Sequence, residues 1–100
     1  MTHIGPYNSK SAIDTTFLSD KEQNVYSGSK TLEKILKENS SFILCNVHGH
    51  NHFSEKQTEV GGVPVINPNS LFTRKYGDYT FRLNSDSGKW ELTDISLLEF

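Results

Sequence analysis

Three histidines stand at alternate positions in Val47-His48-Gly49-His50-Asn51-His52-Phe53, and a fourth, His3, follows Thr2 near the amino terminus. Neutral imidazole nitrogens bind transition metals at about 2.0–2.1 Å. Two residues apart, His50 and His52 project to the same side of an extended backbone, where they can pinch one ion or serve two adjacent ones. Gly49 permits a sharp turn directly after an apolar run, and ligand sites in α/β sheets gather beyond the carboxyl ends of strands. A polar loop would account for a lone histidine, whereas a short His-rich tract is a compositional signal for metal. His48 is better placed to orient a ligand than to coordinate.

The elements that must hold these side chains are read from periodicity. Leu32, Ile35 and Leu36 fall at i, i+3, i+4 with Lys30, Glu33, Lys34 and Lys37 opposite, which predicts an amphipathic helix over residues 29–39. Ser29 supplies the N-cap, Glu33 and Lys37 form an i,i+4 pair, and Asn39 can end the helix in the left-handed conformation. Phe42-Ile43-Leu44-Cys45-Asn46-Val47 is a nearly continuous apolar run, the form of a central strand covered on both faces. Gly61-Gly62 between residues 57–60 and 63–66 predicts a two-residue hairpin, with Pro64 pushing one arm to an edge. Tyr79, Phe81 and Leu83 alternate with polar residues before the turn chemistry of residues 84–88, and a second arm follows to Leu97. Trp90 and Leu92 share one parity and Ile95 and Leu97 the other, so a bulge near Thr93-Asp94 is expected. Residues 5–28 show no period and read as a long surface loop. The order is α/β with one helix and a mostly antiparallel carboxyl-terminal sheet over residues 42–97, which also contain the histidine loop. One short helix covers part of such a sheet and leaves an apolar face or edge unprotected.

Composition narrows the function classes. The 100 residues suffice for one domain, and hydrophobic residues make up 34% of them. No apolar run approaches the roughly 18 residues of a membrane span, and residues 1–6 carry neither charged leader nor apolar segment, so a cytoplasmic protein without membrane contact is expected. Ten Lys+Arg against twelve Asp+Glu give a net charge of −2, which lacks the basic face that binding a phosphate backbone demands; nucleic acid is not an expected partner. Without that basic setting, Tyr79, Phe81 and Trp90 read as hairpin packing rather than a base-stacking platform. The single Cys45 makes no internal disulfide and reads as a buried, inert thiol. Ser9, Ser11, Ser27 and Ser29 have no identifiable base and read as loop or capping residues.

His48-Gly49-His50-Asn51-His52, followed by Val60-Gly61-Gly62-Val63-Pro64-Val65-Ile66-Asn67-Pro68-Asn69-Ser70, resembles the carboxyl-terminal half of the calcineurin-like metallophosphoesterases. That family carries Gly-His-x-His, a hairpin and an "NPGS"-like segment, preceded by a histidine in a Thr-His-x-x-Pro-like context, which Thr2-His3-Ile4-Gly5-Pro6 resembles. The resemblance implies a partial αββα sandwich. It implies that His50 binds one metal of a dinuclear centre together with His3, and that His52 binds the other. His48 and Asn69 would stand on the ligand-orienting or substrate side. Two divalent ions, Mn, Fe or Zn, would activate a phosphoester for hydrolysis.

The departures from the family pattern matter equally. Its amino-terminal Asp-x-His, Gly-Asp-x and Gly-Asn-His-Asp/Glu motifs are lacking, so this chain supplies no bridging carboxylate and no catalytic acid. Gly77-Asp78 falls after the histidines and reads as part of a strand. Imidazoles alone leave the ionic charge uncompensated, so the isolated chain is expected to bind metal weakly at most and to be inactive. The family places an apolar strand ahead of Thr-His, which makes Met1 an internal methionine on this reading. The missing half would come from the same gene or in trans, and the fragment alone would self-associate. Asn69 replaces the glycine of "NPGS" and tolerates the same positive φ. Two other readings stay open: a cupin-like domain using His50, His52 and Glu55 on one ion, and a non-enzymatic interaction module with an exposed sheet edge.

Overall fold

Gly61 and Gly62, at φ 59° and 85°, close the hairpin of β4 (Gln57–Val60) and β5 (Val63–Ile66) with Val60 opposite Val63. Both dihedrals lie where glycine alone is unstrained, which is why this dipeptide makes tight hairpin turns. The helix α1 (Lys30–Glu38) packs on that hairpin: Leu36, Val60, Val63 and Val65 form a buried cluster joined by Leu32 and Ile43. Its N-cap is Ser29, whose hydroxyl accepts from Leu32 N–H at 3.0 Å, and Lys37 meets Glu33 at 3.6 Å. Two details differ from the periodicity. Ile35 stays largely exposed, since the narrow hairpin accepts Leu32 and Leu36 alone, and Asn39 ends the helix at φ −122° by donating its side-chain amide to Ile35 O.

The computed structural model describes residues 1–18, 21–51 and 56–100. The fold is mixed α/β, with small sheets in the orders β1–β2, β3–β5–β4 and β6–β7. Residues 5–28 are not a loop. They contain an antiparallel hairpin of β1 (Ile13–Leu18) and β2 (Lys21–Tyr26), extended at its base by Ser27 N–H donating to Ala12 O. The β-formers Ile13, Thr15, Thr16, Phe17, Val25 and Tyr26 carry this signal, which a search for alternating hydrophobicity passes over because so many intervening residues are polar.

The apolar run after the helix is a strand only at β3 (Asn46–Val47), which pairs in parallel with β5. Phe42 is 85% exposed, so the run is not a central strand covered on both faces. β5 is central instead, Pro64 included. The parallel register begins at Val65, so Pro64 lies just outside that ladder and its missing N–H interrupts nothing there. β6 (Lys75–Asn84) and β7 (Lys89–Glu99) make a long two-stranded ribbon. Thr80 opposes Asp94 while Phe81 opposes Leu92, so Thr93 is the bulged residue and the apolar side chains of both halves share one face. The expected single carboxyl-terminal sheet is thus split in two among the described residues. No helix among them is long and apolar enough to cross a membrane.

The turn allows a direct test. A Cβ on Gly61 would lie 2.8 Å from Lys37 Cγ and 2.9 Å from Lys37 Cα, whereas one on Gly62 would meet nothing closer than 3.9 Å. Gly62→Ala should cost about 1 kcal/mol, the conformational penalty alone, and Gly61→Ala clearly more because the helix must move. Chemical denaturation measures both; equal losses would contradict helix contact at Gly61.

Candidate metal site

The histidine segment leaves the carboxyl end of β3, and the amino terminus is tied alongside it. Thr2 N–H donates to Val47 O at 2.9 Å and Gly49 N–H to His3 O at 3.1 Å, while the Asn46 amide donates to Thr2 Oγ1 at 3.1 Å. These bonds bring together residues 44 or more apart in the chain. The rings of His3 and His50 stand edge to face with centroids 5.2 Å apart. Both are exposed. His50 has φ 69°, and Asn51 N–H donates to Gly49 O at 2.8 Å, so His50 is the centre of a three-residue γ-turn of the rarer, strained hand. Such strain in a non-glycine residue persists where the surroundings enforce it, and it is common at ligand sites.

His48 has both ring nitrogens taken up by hydrogen bonds. It is 2% exposed, with Nδ1 2.9 Å from Gly49 O and Nε2 2.8 Å from Ser11 Oγ. A carbonyl only accepts, so Nδ1 carries the proton and Nε2 accepts from the Ser11 hydroxyl. Ser9, 2.7 Å from Ser11, then donates to Ser11 Oγ. A Ser-His pair of this kind has the makings of an activated nucleophile. Ser11 is 0% exposed, however, so no substrate reaches it and the pair is structural. Gly5 lies flat against the ring: a Cβ there would sit 2.6 Å from His48 Nε2. His48 therefore braces the loop and is not turned toward the His3–His50 pair as a ligand.

Asn67 completes the support. Its buried amide donates to Ser11 O at 3.1 Å and Asn51 O at 2.6 Å, and its Oδ1 accepts from Asn69 N–H at 3.0 Å. Asn51 in turn donates to Ser27 Oγ at 3.0 Å. Asn69 adopts φ 76°, as its place in the turn requires. With Pro68 it lines a cavity of ≈ 450 Å³ that also takes in His3, His48 and Gly49.

His3, His50 and Asn69 therefore gather at one end of the parallel pair. His52 and Glu55 lie outside the described residues. Among those described, no third His, Cys, Asp or Glu joins His3 and His50 in a metal-holding group. Ser9 and Ser11, read from the sequence as loop or capping residues without a base partner, are buried and Ser11 bonds His48; Asn51 and Asn67, given no role there, carry the rest of the site's support. Asn51 and Asn67 sit within or beside the recognisable motifs, a signal that was there to use. Nothing in the sequence marks the two serines. Cys45 is a free, half-buried thiol whose pKa burial pushes up, in keeping with an inert group.

Burial holds the His48 pKa below its ordinary 6.5, with His50 adding to the effect and the Gly49 carbonyl bond opposing it. An unfolded chain therefore takes up this proton first. His48 stabilises the fold above pH about 6.5, and that contribution is lost as pH falls from there through the depressed folded value. The melting temperature should drop as pH falls below about 6.5, and His48→Gln should flatten that limb. An identical slope in the variant would refute the buried neutral assignment.

Comparison with family models, curated proteins and solved structures finds no match to this chain.

Proposed function

We propose that this chain carries the imidazole half of a dinuclear phosphoesterase site of the calcineurin-like kind, within a partial αββα sandwich. The observation that supports it is the contact of His3 with His50 across the carboxyl end of β3, beside the positive-φ turn at Asn69. Three separated motifs named from the sequence meet there. On this reading His3 and His50 hold one divalent ion, Mn, Fe or Zn, and His52 takes the second. When bound, the ions supply Lewis-acid activation of a phosphoester. His48 fixes the loop that presents His50, and Asn69 stands on the substrate side of the cavity.

The chain's own chemistry then stops short of turnover. No carboxylate balances the charge at this pair among the described residues. A further segment, in the same gene product or in trans, brings the bridging carboxylate and the acid. Alone, the chain binds metal weakly and does not hydrolyse a phosphoester. Its lone cysteine suits a reducing compartment, and we place its work in the cytoplasm.

Calorimetric titration with Mn²⁺ and Zn²⁺ tests this. Weak binding is expected in the wild-type chain, reduced about tenfold or more by His3→Ala and by His50→Asn. Asparagine tolerates the left-handed backbone, so the second variant keeps the turn. Binding unchanged in both, or hydrolysis of an aryl phosphate that His50→Asn leaves intact, would overturn the proposal.

A further inference from the structure

The β6–β7 ribbon presents an open edge whose residues are complementary to themselves. Among the described residues β6 pairs with β7 alone. Phe100 N–H donates to Arg74 O at 2.9 Å and the Thr93 hydroxyl to Thr80 O at 3.2 Å, so even-numbered residues of β6 turn their backbone groups toward β7. The N–H and C=O groups of Gly77, Tyr79, Phe81 and Leu83 consequently line the free edge, because ladder groups alternate along a strand. Asp78, Thr80, Phe81, Arg82 and Leu83 are exposed.

We propose that a second copy of this chain adds at that edge, β6 against β6 and antiparallel, with the two-fold axis at Thr80. This interface rests on the ribbon and not on the metal reading. Charge selects the register. Centred on Thr80, Asp78 lies opposite Arg82 of the partner subunit and Arg82 opposite the partner's Asp78, both on the polar face. Tyr79 then meets the partner's Phe81 on the apolar face, twice by symmetry. Opposite charges and aromatic pairs facing each other across strands are the contacts that stabilise a ladder. A centre at Tyr79 sets Asp78 against threonine and Arg82 against tyrosine. One at Phe81 sets Asp78 against asparagine and Arg82 against threonine. Neither pairs opposite charges. Any half-step register would put apolar residues on the polar face.

The same register agrees with the hydrogen bonding. Tyr79 and Phe81 carry outward-facing groups, so each exchanges both bonds with the partner, while Thr80, Asp78 and Arg82 fall in the close, non-bonded pairs. β7 is unsuited to the role. Its bulge at Thr93 breaks the alternation, and self-pairing about Asp94 would set like charges face to face. The product is a closed four-stranded sheet, β7–β6–β6–β7, with isologous symmetry.

Mass measurement by light scattering, with charge reversals, tests this. The wild-type chain should show twice 11.3 kDa. Asp78→Arg and Arg82→Asp should each give monomer, and the double reversal should restore the dimer. In a Cys45→Ser background, Thr80→Cys should cross-link under mild oxidation, because Cα atoms of a close pair stand about 4.5 Å apart, while Asp94→Cys should not. A wild-type monomer at all concentrations would overturn the proposal. So would a dimer indifferent to both single reversals, or cross-linking at Asp94→Cys instead of Thr80→Cys. Circular dichroism separates a reversal that unfolds the chain from one that dissociates it, and the cross-link decides in that event.

Discussion

Asn67 ties the polar half of the molecule together through its side-chain amide. Its two donated bonds, to Ser11 O and Asn51 O, and the one its carbonyl accepts from Asn69 N–H join three separate stretches of chain at a buried point. From there Ser11 reaches His48 and Asn51 reaches Ser27. Among the residues whose burial is described, six polar side chains are buried, Ser9, Ser11, Asn46, His48, Asn51 and Asn67, against six aliphatic ones and Pro6. A core that is half polar gains little from burial and depends on its hydrogen bonds being made, since each one broken leaves a buried group costing about 1–3 kcal/mol. That dependence has a functional side. Hydrogen bonds have direction where hydrophobic contacts do not, so the network fixes the loop bearing His50 and the turn bearing Asn69 relative to one another.

Two kinds of order divide the molecule. The helix and the β4–β5 hairpin form the apolar half, and the amino-terminal segment with the histidine loop and residues 67–69 forms the polar half. β5 belongs to both: Val63 and Val65 face the helix cluster, and Ile66 runs directly into Asn67. The ribbon pairs with no strand of either half among the described residues, and Trp90 is 56% exposed on its apolar face. A two-stranded ribbon is marginal on its own, so its open edge and its exposed aromatics are physical grounds for an added strand.

The legible parts of the fold were those set by local chemistry. Ser29 as cap, the Glu33–Lys37 pair, the Gly61-Gly62 turn and the bulge at Thr93 each follow from a few adjacent residues. Parts set by tertiary competition were not legible. Phe42 and Leu44 read as core, yet strand pairing begins only at Asn46, because a run of apolar residues states a preference for burial without saying whether a neighbouring strand is there to receive it. The hairpin of β1 and β2 was masked by its polar composition. At the site, the pairing of His3 with His50 was anticipated through motif resemblance and could not have come from spacing, since the two are 47 residues apart. Ser11 was invisible because a serine in a polar stretch carries no mark of the buried histidine it meets.

On the proposed reading His3 and His50 act as a pair toward one ion while His48 stays in the buried network. Following the imidazole ring resonances of these residues by NMR during a Zn²⁺ titration separates the two roles. The His3 and His50 signals should move together along one saturation curve while the His48 signal keeps its place. Separate curves for His3 and His50, or a His48 signal that moves with either, would contradict that reading.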